Sequence, residues 1–126
     1  MDNKNSINIY KTNNMFYNVY DVDAYIFNIL FGYKILDNNK LGFPSSVYNK
    51  VINVLEDNHI NYNIIYKNRD MEVKDFKKLN NYDKYRKNAY EKMDIDSKVN
   101  ILIDKIKNAN RDELDKLIYI IYEFFR

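Results

Sequence analysis

Residues Met15 to Ala24 read Met-Phe-Tyr-Asn-Val-Tyr-Asp-Val-Asp-Ala, and the order of signals from there to Tyr66 decides the fold. Met15 to Tyr20 is rich in aromatic and β-branched residues, which predicts a strand. Asp21 or Asp23 then offers a cap for a helix whose apolar residues Val22, Tyr25, Ile26, Ile29 and Leu30 recur at spacings of three and four. Gly32 ends that helix, as the residue best able to take the left-handed conformation there. Tyr33 to Leu36 and Lys40 to Phe43 flank Asp-Asn-Asn, the pattern of a hairpin. Pro44 and Ser45 open a second helix with the stripe Val47, Val51, Val54 and Leu55, ending near Asn58. Tyr62, Ile64 and Tyr66 alternate, and predict a strand returning to the same sheet.

On the N-terminal side, Ser6 to Tyr10 alternates Ile7 and Ile9 with polar residues, and Asn13-Asn14 provides the turn into Met15. Beyond Tyr66 the strand signals stop. Lys67 to Asn80 reads as an irregular connector or short helix. Tyr82, Tyr85, Ala89 and Met93 form one helical stripe, and Val99, Leu102, Ile103 and Ile106 another. A last helix starts at Asn110 with Glu113 three residues on, the spacing of a capping box. Its stripe Leu114, Leu117, Ile118, Ile121 and Phe125 is widened by Ile120, Tyr122 and Phe124, so it is either packed or a surface for a partner or a second copy. Packing is the expectation. The chain is therefore read as α+β: a small mixed β-sheet with two packed helices over residues 1–66, and a basic connector with a helical extension over 67–126.

Composition narrows the function classes. The 126 residues are 46% hydrophobic and 16% aromatic, enough for one packed core. There is no Cys, which excludes disulfides, thiolate metal sites and a cysteine nucleophile. No run approaches the length of a membrane span, so a soluble cytoplasmic protein without membrane contact is expected. The only glycines are Gly32 and Gly42, so a Gly-rich nucleotide-phosphate loop is missing. His59 is the sole histidine and follows a predicted helix end, where a surface or capping role suffices. No enzyme, metal or cofactor is expected. Asn, Lys, Ile and Tyr are abundant in the manner of an AT-rich genome, so the Asn runs are not read as motifs.

The net charge of +2 is uneven. Residues 67–92 hold nine Lys and Arg against five Asp and Glu, among them Lys74, Lys77, Lys78, Lys84, Arg86 and Lys87. Such a cluster either follows a phosphate backbone, releasing counterions, or is a solvated helix face.

Phe16-Tyr-Asn18, Asp21-Val-Asp-Ala24 and Gly42-Phe-Pro44-Ser-Ser46, in this order, resemble the mismatch-recognition domain at the front of the MutS mismatch-repair proteins. The resemblance covers under half of the chain. It implies that Phe16 stacks on a nucleic-acid base and that Asn18 stands where the family's Glu bonds that base. Asn14 replaces the family's Gly, and Ser46 the His of its Pro-x-His turn. Asn18 keeps an acceptor and adds a donor, so it still suits a base edge. Residue alternation alone leaves open whether Phe16 or its neighbour Tyr17 is the core residue. Ser45, Ser46 and the backbone donors after Pro44 offer a phosphate contact or simple helix capping.

Two functions follow as expectations. One is a non-catalytic module binding DNA or another nucleic acid through Phe16, Asn18, Ser46 and the lysine cluster. The other is a protein-interaction module, such as a phage-encoded inhibitor of a host nucleic-acid enzyme, for example a CRISPR effector, with a protein partner or homodimer formed through the C-terminal helix.

Overall fold

The computed structural model describes residues 4–126, and the chain forms two compact units that meet between Met93 and Asp94. Strand signals at both ends of the first unit converge on one mixed sheet. Its strands are β1 (Ile7–Lys11), β2 (Phe16–Tyr20), β3 (Lys40–Pro44), β4 (Tyr62–Ile65) and β5 (Glu72–Lys74), in the spatial order β3-β2-β1-β4-β5. β1 and β4 run parallel; the other neighbours are antiparallel. The fold class is thus α+β, as the periodicities predict.

Strand alternation sorts the side chains onto two faces. Ile7, Ile9, Tyr17, Val19, Leu41, Phe43, Tyr62 and Ile64 are buried on one face. Helices α1 (Val22–Phe31) and α2 (Tyr48–Asp57) cover that face. Phe27 of α1 stacks on Phe43 at 5.5 Å, and Tyr48 of α2 stacks on Tyr17 at 4.8 Å. Gly32 closes α1 at φ 72°, donating its N–H to the Asn28 carbonyl.

Several local readings are revised. Asp21 stands at the N-cap of α1, its carbonyl accepting from the Tyr25 N–H at 3.2 Å, but its side chain makes no cap bond, and Asp23 is buried inside the first turn. Tyr33 to Leu36 is no strand, because Tyr33 stacks on Phe31 and its carbonyl accepts from Asn28 Nδ2, leaving one isolated bridge from Leu36 to Lys40. The second helix starts later than Pro44-Ser45: Ser45–Val47 forms a 3₁₀ turn, and Ser45 directs both its N–H and its hydroxyl to the Met15 carbonyl.

The boundary expected at Tyr66 falls inside the first unit. β5 pairs with β4, and the long helix α3 (Tyr82–Lys107) places Tyr82 and Ala89 fully in the core, with Tyr85 and Met93 packed beside them. Hydrogen bonds fix the connector between them. The buried Asn61 donates from Nδ2 to Asp75 and accepts from the Phe76 N–H at 2.7 Å, while Asn80 accepts from the N–H groups of Asn61 and Tyr82. Asparagines set aside as compositional background therefore hold this segment to the sheet.

The second unit, Asp94–Arg126, comprises the rest of α3, the turn at 108–110 and α4 (Arg111–Phe124). The capping box is present: Asn110 Oδ1 accepts from the Glu113 N–H, and the Glu113 carboxylate accepts from the Asn110 N–H. The packing expected for the apolar stripe is not met within this unit, since Ile118 to Tyr122, with Phe124 and Phe125, are 43–80% exposed. Among the described residues, no helix is long and apolar enough to cross a membrane.

Candidate nucleic-acid interface

The face of the sheet opposite α1 and α2 has no helix written into its alternation. Register settles which ring of the Phe16-Tyr17 pair faces out. Tyr17 opposes Phe43 in the core, whereas Phe16 opposes Pro44 and is 46% exposed. Phe16, Asn18 and Tyr20 therefore share the open face of β2. Tyr10 of β1 lies opposite Asn18, and its ring meets Tyr20 edge-on at 5.5 Å.

The start of β2 is held in place by its neighbours. Thr12 donates both its N–H and its hydroxyl to the Phe16 carbonyl, and Ser45 holds the Met15 carbonyl from the other side. Asn18 donates from Nδ2 to the Tyr20 hydroxyl at 3.4 Å, a long bond that leaves its oxygen toward Gly42. A Cβ at position 42 would stand 3.0 Å from Asn18 Oδ1, so glycine there gives the amide its room. Phe16, Asn18, Tyr33, Lys34, Lys40 and Gly42 line a hollow of ≈ 700 Å³.

The strands of this face carry charge of one sign, and Asp21, just past the end of β2, stands beside Tyr10 and Tyr20 at its border. Cross-strand register places Asn8, Tyr10, Asn18, Lys40, Asn63 and Val73 on the same side as Phe16, and no strand residue there is a carboxylate. Glu72 pairs with Ile64 and so belongs to the other side. A flat surface of aromatic rings, amides and lysine can stack bases, bond their edges and meet phosphates.

The expected lysine cluster lies elsewhere. Lys74 pairs with Tyr62, which puts it on the helix-facing side of the far edge strand, where its ammonium sits over the Phe76 ring. Lys77 is ion-paired with Asp75 at 3.3 Å. Arg86 is structural: it bridges to Asp83 at 2.9 Å and donates to the Lys4 carbonyl. Lys78, Lys84 and Lys87 are exposed, with Lys84 reaching over Tyr85. None of these six is brought beside Phe16, because a local excess of charge in sequence says nothing about which face it joins. Ser46 is exposed in the 3₁₀ turn, and the regular turns of α2 begin only after Val47.

Sequence reading missed Tyr10, Tyr20, Lys34 and Lys40 as members of the face. Tyr20 was within reach, being four residues from Phe16 on one strand; the others need the register. His59 takes φ 53° after α2, accepts from the Asn81 N–H through its carbonyl, and sets its ring edge-on to Phe76. Among the described residues no group of three or more His, Asp or Glu could hold a metal ion.

Among the described residues Asp23 is the one buried carboxylate. It accepts from the Asn8 N–H at 3.0 Å, the Tyr82 hydroxyl at 2.8 Å and the Lys4 ammonium. Burial pushes its pKa up, against the lowering effect of Lys4 and these bonds. Its partners lie on β1, α3 and the chain start, so it locks three segments together behind the open face. No protein-family model matches the chain, and neither a curated protein nor a solved structure matches it.

Proposed function

We propose that this chain is a non-catalytic nucleic-acid-binding module, resembling the mismatch-recognition domain of MutS, that works through the open face of its sheet. The observation that carries the reading is the outward ring of Phe16 on a face whose strands present aromatics, amides and lysine and no carboxylate. Phe16 stacks on a base, Asn18 bonds a base edge, and Lys34 and Lys40 meet the adjacent phosphates. The lysines on the α3 side contribute only to the distant field.

An aromatic ring stacked on a base contributes about 1–3 kcal/mol. Phe16→Ala should therefore weaken binding roughly 5- to 150-fold without changing the circular-dichroism spectrum, because the ring is half exposed. Fluorescence anisotropy with mismatched duplex, matched duplex and single strands at low salt measures this. Absence of binding to all three, with the spectrum intact, turns the reading to a protein-interaction module, which pull-downs that survive nuclease treatment would support.

A further inference from the structure

The second unit carries a surface that its own two helices do not close. α4 runs Leu-Ile-Tyr-Ile-Ile-Tyr from Leu117 to Tyr122, followed shortly by Phe124 and Phe125. Six uncharged residues in succession surround a helix completely, since about 3.6 residues make a turn. One neighbouring helix accepts only a stripe, and a helix apolar on all sides is normally buried. Here Ile106, Ala109, Leu114 and Leu117 are half-buried near the turn, and no residue of the unit is buried. On α3, Val99, Ile101, Leu102 and Ile103 remain 41–54% exposed.

We infer that this surface is the docking site for a second copy of the chain, the exposed apolar residues of α3 and α4 in one copy packing on those of the other. Such a dimer covers the sides of α4 that its own chain leaves open, which its apolar circumference requires. The area suffices. Tyr119, Tyr122, Phe124 and Phe125 are 67–80% exposed. At about 150–250 Å² per aromatic side chain, they bring on the order of 600 Å². The exposed isoleucines carry the patch to the roughly 800 Å² per partner of a stable interface.

Charge selects the occupant. The unit holds six basic and seven acidic residues, so its field neither opposes a copy of itself nor calls for a partner of opposite sign. No charge lies between Lys116 and Glu123. Interfaces stripped of charge in this way belong to permanent homodimers more than to transient contacts, whose surfaces are as polar as the rest of a protein. The inference is independent of the nucleic-acid reading.

Light scattering of the full chain should give twice the chain mass of 15.3 kDa, with a Tm that rises with protein concentration. Ile118→Glu and Ile121→Glu should return the mass to one chain while the sheet signal persists. Tyr122→Ser, at a position 75% exposed and so harmless to folding, should raise the dimer dissociation constant about tenfold or more. A single-chain mass for the unaltered protein at every concentration overturns the inference, as does a dimer indifferent to Tyr122→Ser.

Discussion

Asp23 shows how one residue joins the segments that support the open face. The residue is 2% exposed, and each bond it accepts comes from a different part of the first unit. Tyr82→Phe keeps the ring in place and removes one donor, which should cost about 1–3 kcal/mol in urea denaturation. The pH dependence has a defined sign. Because the folded-state pKa of Asp23 is raised above its ordinary value, mainly by burial, its contribution to stability is full below the ordinary value and is lost as pH rises through the folded one. Losing the Tyr82 bond, which lowers that pKa, moves it further up. The penalty of Tyr82→Phe should therefore be larger at neutral pH than in mild acid. An equal penalty at both, or a larger one in acid, would show that the hydroxyl does not stabilise the carboxylate.

Among the elements, α4 offers the cleanest local test. Its capping box depends on two side chains three residues apart, both exposed, so Asn110→Ala should destabilise the helix start by about 1 kcal/mol. Hydrogen exchange should show protection falling roughly fivefold in the first turn of α4, with the amides of β1 and β4 unchanged. Equal loss in those strands would mean that α4 is not a separate cooperative element. That box was legible in the sequence because its whole logic is local, and β1, β2 and α2 were legible because their alternation or stripe runs long enough to count. β5 was not: Glu72, Val73 and Lys74 are all exposed, and the strand exists only because β4 offers an unpaired edge. The predicted hairpin failed for a related reason. Asn38 and Asn39 do take positive φ, but Tyr33 is claimed by the end of α1 before it can join a ladder. At the site, the motif pointed to Phe16, yet only the pairing of Tyr17 with Phe43 decides that Phe16 faces outward.

For the first unit as a whole, the question is which lysines a nucleic acid meets. The sequence places its basic excess in 67–92, whereas the open face carries Lys40 on its edge strand and Lys34 in the adjoining hollow. β2 and β5 are three strand spacings apart, about 14 Å. Exposed charges are largely screened beyond about 8 Å at physiological salt. Each phosphate neutralised by a bound lysine adds about 0.7–0.9 to the slope of log affinity against log salt. Lys40→Gln should therefore reduce that slope by close to one, and Lys78→Gln should leave it unchanged, when anisotropy titrations are run over a series of salt concentrations. The two variants separate the possible paths of the backbone. If Lys78→Gln lowers the slope and Lys40→Gln does not, the phosphates run along the α3 side, and the aromatic face of the sheet is not where the nucleic acid lies.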